Sequence, residues 1–253
     1  MPRQRLTPPD VPYAMESRTH RALAALLLWT GLLWPGSAPA QQVAALELVL
    51  AIDGSTSIDG GLFEFQLNGH AAAFRDPKLV DAITASGTGI AVTVVQWSDP
   101  SAFRTLIPWT VVADPAGAAR FAASMDAVPR QPLRGSTGIG AAMLNASGLF
   151  RGGGDARRVI DIVSNGYNNI GIMPDLARDR IVAQGITVNG LVILDEVPWL
   201  ADYFAAHVIG GPHAFVAVAD SPASFGRAIL DKLIQEITED RPAAVQTAER
   251  PDR

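Results

Sequence analysis

Apolar runs of strand length alternate along the chain with stretches in which apolar residues recur at helical spacing. The first run, Leu48 to Ile52, contains no polar residue, which is typical of a strand covered on both faces in a parallel sheet. The pattern predicts further strands at 87–97, 103–112, 158–163, 186–194 and 214–218. It predicts helices at 61–75, 115–125, 141–149, 175–184, 197–207 and 221–237. This alternation predicts a three-layer, doubly wound α/β fold with a mostly parallel sheet.

Two local features refine this prediction. The segment 103–112 follows its predecessor through the turn Ser98 to Pro100, which is too short for a parallel crossover, so we expect an antiparallel edge strand. Within the first predicted helix, Gly69 indicates the close approach of a neighbouring element. Asp59 is the expected N-cap of the same helix.

The beginning of the chain has the pattern of an export signal. Arg18 and Arg21 precede the apolar segment Ala22 to Trp34, and Ala38-Pro39-Ala40 offers the small residues of a signal-peptidase site. The apolar segment is shorter than the about 20 residues that span a bilayer. We therefore expect an exported protein, periplasmic or secreted, without stable membrane insertion once the signal is cleaved.

These patterns divide the chain into three parts. Residues 1–40 are the predicted N-terminal extension and signal peptide, and residues 41–238 follow one continuous α/β pattern that favours a single domain. Residues 239–253 mix proline, alanine and both charge signs with few apolar residues, which predicts a disordered tail.

The charge balance disfavours two classes of partner. Four of the 20 basic residues and two of the 25 acidic residues lie in 1–40, so the remainder carries 16 against 23, a net charge of −7. No basic run occurs, which argues against nucleic acid and anionic membranes as partners. Cysteine is absent, so the sequence offers no disulfide, no thiolate metal site and no cysteine nucleophile.

Oxygen donors mark three of the predicted loops. Asp53, Ser55 and Ser57 follow the first strand, Thr137 lies in a glycine-rich loop that enters a helix, and Asn165 follows the strand at 158–163. Open α/β sheets place ligands at the carboxyl ends of their strands, and hard oxygen donors suit a cation such as Mg²⁺. Taken singly, Asp53 or Ser57 could equally cap a helix, and Asn165 could be a plain turn residue.

At these residues the sequence resembles the von Willebrand factor type A domain. The metal-ion-dependent adhesion site of that family has D-x-S-x-S on the first loop, a threonine on the second, and an aspartate, usually followed by glycine, on the third. The order of strands and helices matches from about Glu47 to Ile237, and Val94 to Asp99 looks like the family's second-strand ending. The pattern from Arg158 to Asn169 is further similar to a family of exported bacterial type A-like proteins of unknown function.

The resemblance implies a non-enzymatic module for metal-dependent protein–protein recognition. It implies that Ser55, Ser57 and Thr137 contact Mg²⁺ or Mn²⁺ directly, and that Asp53 and Asn165 act largely through waters. An acidic side chain of a protein partner would complete the coordination. Asn165 stands where the family has aspartate, so it keeps an oxygen acceptor but loses a charge, and we expect weaker metal binding.

Two other functions stay open at this point. The first is a purely structural domain whose metal site has degenerated at Asn165. The second is an α/β hydrolase, which the sequence disfavours because it contains no G-x-S-x-G motif and no histidine in a convincing triad position.

Several other polar residues have less specific roles. Asp161, in a predicted central strand, needs buried partners such as arginines or backbone donors. Asp99 is expected to serve either in an outer metal shell or in the turn before Pro100. We expect His70 to be a packed or half-exposed residue of the first helix, and His207 and His213 to be surface residues.

Overall fold

The computed structural model describes residues 44–129, 131–150, 155–195 and 197–238. The predicted signal segment and the predicted tail lie outside these residues, so the boundaries of the three parts stay predictions. In the part of the chain that is described, no helix combines the length and the apolar character needed to cross a membrane.

The described residues form one six-stranded sheet in the order β3-β2-β1-β4-β5-β6. The strands are β1 (Leu46–Asp53), β2 (Ile90–Trp97), β3 (Phe103–Val112), β4 (Arg157–Ser164), β5 (Ile186–Ile193) and β6 (Val216–Ala219). β3 pairs antiparallel with β2 at the edge, and the other neighbours are parallel. The predicted strands, the mostly parallel sheet and the antiparallel edge are therefore confirmed.

Helices flank the sheet. They are α1 (Gly60–Ala73), α2 (Pro77–Ala85), α3 (Pro115–Asp126), α4 (Ile139–Ser147), α5 (Pro174–Val182), α6 (Leu200–Tyr203) and α7 (Pro222–Thr238). A π-helical turn, Phe204–Val208, continues α6. Asp59 accepts a hydrogen bond from the Leu62 amide, which confirms it as the N-cap of α1.

The sequence prediction differs from the structure at two helices. It missed α2, although Asp76 followed by Pro77 is the same start signal that correctly predicted α3. It also predicted one helix over 197–207, whereas α6 begins only at Leu200. Val197 precedes a proline, which disfavours helical backbone, so the helix starts later.

Both faces of the sheet are buried at the central strand β1, which explains its unbroken apolar run. Leu48 and Leu50 pack in the core that includes α1, α2, α3 and α7, whereas Val49 and Ala51 pack with α4, α5 and α6. α1 and α7 lie so close that a Cβ atom at Gly69 would stand 2.8 Å from the ring of Phe225. The close approach predicted at Gly69 is therefore confirmed.

A buried ion cluster fastens α7 to the sheet. Oδ2 of Asp161, in β4, lies 2.7 Å from Nζ of Lys232, which also pairs with Glu236, and Asn189 of β5 donates to Glu236 at 2.7 Å. Burial raises the pKa of both carboxyls; burial lowers that of Lys232, but the two carboxylates outweigh it and raise its pKa overall. Asp161 thus has a buried partner, as expected, but this partner is a lysine of a distant helix and not one of the arginines or backbone donors named in the prediction.

Candidate metal centre

Three loops meet at the carboxyl edge of the sheet and are joined by backbone hydrogen bonds. The amide of Arg134 donates to the Gly54 carbonyl at 2.6 Å, and the amide of Thr56 donates to the Gly135 carbonyl at 2.9 Å. The Thr56 hydroxyl in turn accepts from the amide of Gly135 at 2.9 Å. These bonds fix the loop after β1 against the loop that enters α4.

The third loop is tied to the second by two asparagines. Oδ1 of Asn169 accepts from the Thr137 amide at 2.9 Å, and the Asn169 amide donates to the Thr137 carbonyl at 2.9 Å. Oδ1 of Asn168 accepts from the amide of Gly140 at 3.1 Å, in the first turn of α4. The position of Thr137 is therefore set by the loop after β4.

The structure brings the five predicted site residues together. The Ser57 hydroxyl donates to Oδ1 of Asn165 at 2.8 Å and lies 3.2 Å from the Ser55 hydroxyl. The amide of Ser55 donates to Asp53 at 2.7 Å. Thr137 lies beside the third loop, because a Cβ atom on Gly166 would stand 3.7 Å from its Oγ1. Ser57 is exposed, and the other four are buried.

Asp53 is a fully buried carboxylate. Its Oδ2 accepts from the Ser164 hydroxyl at 2.5 Å, and among the described residues no basic side chain pairs with it. Burial raises its pKa from 3.8 to about 6, although the hydrogen bonds from Ser164 and Ser55 act in the opposite direction. The site therefore holds a buried negative charge that lacks a positive partner of its own.

The donor set fits a hard divalent cation. It contains one carboxylate, three hydroxyls and one amide oxygen, and such oxygen donors are what Mg²⁺ and Mn²⁺ prefer. Among the described residues, no group of three or more His, Cys, Asp or Glu side chains could hold a metal ion. Of the five site residues only Asp53 carries a charge, so a cation bound at this edge would be coordinated mainly by neutral oxygens.

Sequence reasoning missed the residues that hold the loops. Ser164 bridges Asp53 and the backbone of Gly166, and Thr56, Asn168 and Asn169 fasten neighbouring loops. A signal was present, since the pair Asn168-Asn169 follows β4 within five positions. Their targets could not be inferred from spacing, because those targets lie on another loop.

Asp99 acts as a turn residue that also holds the second loop. Its carbonyl accepts from the Ala102 amide at 2.8 Å, and its Oδ1 accepts from the Ser136 amide at 2.9 Å. Gly135 is required beside it: its φ is 103°, and an added Cβ would lie 2.3 Å from Oδ2 of Asp99. The turn role is thus confirmed, and an additional outer-shell role stays a prediction.

The three histidines in the described part of the chain lie in ordinary structural surroundings. His70 is buried, and its Nδ1 donates to the Gln66 carbonyl at 2.8 Å. Burial lowers its pKa to about 4. His207 is half-buried with its ring 5.0 Å from that of Tyr203, and His213 is exposed. His70 is thus a packed side chain, as expected.

The chain has the α/β fold of von Willebrand factor type A domains. A family model described as "Protein of unknown function (DUF1194)" matches residues 42–241, so the chain belongs to this family. A sequence comparison with curated proteins found no match.

Solved structures of type A domains share the fold. The type V pili tip protein Mfa5 from Porphyromonas gingivalis superposes with a TM-score of 0.53 at 13% identity, covering 78% of this chain and 96% of the domain. The von Willebrand factor type A protein from Catenulispora acidiphila superposes with a TM-score of 0.55 at 16% sequence identity, covering 77% of this chain and 43% of that protein. Proximal thread matrix protein 1 from the mussel byssus, solved with a zinc-occupied MIDAS motif, superposes with a TM-score of 0.53 at 18% sequence identity. The match covers 76% of this chain and 48% of the mussel protein. The present chain thus spans about half the length of the mussel protein.

Proposed function

We propose that this protein is an exported, non-enzymatic binding module that recognises a protein partner through Mg²⁺ or Mn²⁺ at the candidate metal centre. The observation that carries the proposal is the buried carboxylate of Asp53, which has no basic partner among the described residues and lies beside oxygen atoms from the loops that follow β1 and β4. That a structural neighbour has a zinc-occupied MIDAS motif supports a divalent ion in this fold.

Each residue has a distinct proposed part in holding the ion. Ser55, Ser57 and Thr137 would supply hydroxyl oxygens, and Asp53 and Asn165 would act largely through waters. Once bound, the ion would offer an open position to a carboxylate of the partner. The exposure of Ser57 supports this arrangement, because it leaves the site accessible from solvent.

The arrangement also favours binding over catalysis. The serine hydroxyls of the site hydrogen bond to one another, to Asn165 or to Asp53, and no described histidine lies among their hydrogen-bond partners. A serine nucleophile needs an adjacent general base, so these hydroxyls fit ligand roles better.

Export is the remaining part of the proposal. It is supported by the leader pattern of residues 1–40 and by the pilus proteins among the structural neighbours. Mass spectrometry of the protein recovered from its native compartment is expected to find Gln41 at the N-terminus. An intact leader on the bulk of the protein would overturn this part.

Titration calorimetry of the full chain with MgCl₂ and with MnCl₂ tests the metal site. We expect saturable heat at millimolar metal for the unmodified chain and for Ser147→Ala, a serine in α4 outside the three loops. Ser57→Ala is expected to abolish the heat or weaken binding by at least tenfold. Saturable heat from neither metal, or equal heats in both variants, would overturn the proposal.

A structural domain without metal is the second candidate. It is favoured by the contact of Ser57 with Asn165, because the two side chains already satisfy each other without an ion. Absence of any heat or thermal shift with either metal would select this candidate.

A further inference from the structure

Exposed apolar side chains concentrate next to the candidate metal centre. Of the seven large apolar side chains that are strongly exposed in the described part of the chain, five lie within 167–176 or at Trp199. They are Tyr167, Ile170, Met173, Leu176 and Trp199. Exposed apolar surface concentrated in this way marks interaction sites.

Three aromatic rings form one cluster within this region. The ring centroids of Tyr167 and Trp199 are 5.3 Å apart, and Tyr203 lies 6.3 Å and 6.1 Å from them in edge-on contact. Tyr167 is 45% exposed and Trp199 is 50% exposed, whereas Tyr203 is half-buried. We call Tyr167, Trp199 and Tyr203 the aromatic platform.

Contacts of Tyr203 with Phe204 and Asn168 hold the aromatic platform in place. Tyr203 packs against the buried ring of Phe204 at 6.3 Å, and its hydroxyl lies next to the backbone of Asn168. Asn168 belongs to the same loop as Asn165. Because the rings are already ordered, a partner that packs on them loses little additional conformational entropy.

The surroundings of the platform are acidic. Asp175 lies in the first turn of α5, and burial, together with the charge of Asp175, raises the pKa of the Tyr203 hydroxyl. Asp202 is exposed in α6, three positions after Trp199. Arg178 of α5 is already engaged, since it pairs with Asp179 and donates to the Ala206 carbonyl. Aromatic faces beside carboxylates suit a cationic side chain, which both attract.

We propose that the aromatic platform receives an arginine or lysine of the same partner segment whose carboxylate would reach the metal centre. The inference rests on the proposed function. Tyr167 is two residues from Asn165, a span of at most about 7 Å, so a basic residue within about four positions of the partner's acidic residue can reach the platform. The favoured partner is therefore a peptide segment carrying Asp or Glu close to Arg or Lys.

The test is selection of a random peptide library displayed on phage against the full chain in millimolar MgCl₂. We expect selected peptides to carry an acidic residue with Arg or Lys nearby. Replacing that basic residue with glutamine is expected to weaken binding to the unmodified chain by about tenfold. The same replacement should have little effect on binding to Trp199→Ala or to Tyr167→Ala. Val111→Ala, at an exposed apolar position of β3, should bind as the unmodified chain does.

Different results separate the two proposals. Peptides that bind equally in EDTA, with the metal confirmed absent, but lose affinity in Trp199→Ala would overturn the metal dependence and support the platform. Peptides that require metal but show no basic preference, or that bind Trp199→Ala and Tyr167→Ala unchanged, would overturn the platform. Failure to select any peptide would overturn the assignment of the aromatic platform as a peptide site.

Discussion

At the scale of single residues, the third loop sets how strongly the proposed site can hold a cation. Asn165 accepts a hydrogen bond from Ser57 through Oδ1, a role that a carboxylate oxygen could fill equally well. Replacing the amide with a carboxylate would therefore change the charge of the site and keep this contact. The buried Asp53 would then share the neutralisation of the ion with a second carboxylate.

We expect Asn165→Asp to strengthen Mg²⁺ binding by tenfold or more. The added charge attracts the ion, and after the cost of desolvation roughly 1–2 kcal/mol of that attraction remains. Calorimetry with MgCl₂ measures the change. Asn145→Asp, which adds the same charge at an exposed position of α4, is the control and should bind as the unmodified chain does. Equal affinity in the two variants would contradict the prediction.

His70 is expected to make the fold less stable in mild acid. Its pKa is about 4 in the folded chain against an ordinary 6.5, so the unfolded chain binds the proton more readily between these values. The loss of folding stability caused by His70 is negligible well above pH 6.5, grows as the pH falls, and is complete below pH 4. Between pH 7 and pH 5 it amounts to about 2 kcal/mol of lost stability.

Urea denaturation of the unmodified chain and of His70→Gln at both pH values checks this prediction. The raised pKa of Asp53 opposes the histidine over part of the same range, so the comparison is between the two proteins. We expect the change in the free energy of unfolding between pH 7 and pH 5 to be more favourable in His70→Gln than in the unmodified chain by about 2 kcal/mol. An identical pH dependence would show that His70 is not the group responsible.

At the scale of elements, the contact between α1 and α7 depends on a missing side chain. A Cβ atom at Gly69 would meet Phe225 and Ile229 at 2.8 and 2.9 Å, whereas one at Gly226, in α7, would meet no atom within 4 Å. The same substitution therefore has opposite consequences on the two helices.

We expect Gly69→Ala to destabilise the fold by about 1–3 kcal/mol, because the helices must separate or repack. Gly226→Ala is expected to stabilise it by about 0.5–1 kcal/mol, since alanine favours helix and the position has room. Urea denaturation measures both. Stabilisation by Gly69→Ala would contradict the prediction, because it would show that α7 can shift to make room for the added methyl group without loss of packing.

The buried ion cluster makes Lys232 more important for the stability of the fold than Lys78, which is exposed and is the other lysine of the chain. We expect Lys232→Met to destabilise the fold by about 3–5 kcal/mol, because Asp161 and Glu236 would remain buried without their positive partner. Lys78→Met should change stability by less than about 0.5 kcal/mol. Thermal and urea denaturation of both variants provide the comparison, and similar values would contradict the prediction.

At the scale of the whole molecule, the candidate site joins loops that follow β1 and β4 to the loop that enters α4. An ion held there would bind the folded chain and not the unfolded one. At a concentration ten times the dissociation constant, Mg²⁺ would add about 1.4 kcal/mol to stability, which corresponds to a rise in Tm of roughly 3–6 °C.

Thermal denaturation of the full chain in EDTA and in increasing MgCl₂ tests this prediction. The Tm should rise with metal concentration in the unmodified chain and stay constant in Ser57→Ala. A rise of equal size in both proteins would indicate a general salt effect or a metal site elsewhere.

The pattern of the sequence predicted the α/β fold and its antiparallel edge strand, and the resemblance to type A domains added the five residues that meet at the carboxyl edge of the sheet. Both predictions were possible because apolar periodicity, caps and loop motifs are local signals, and parallel strands place their carboxyl ends at one edge. Only the tertiary structure decided that Lys232 neutralises Asp161, that Asn169 holds Thr137, and that Tyr167 packs with Trp199. Each of these pairs joins segments far apart in the chain, and their proximity depends on how the folded elements pack.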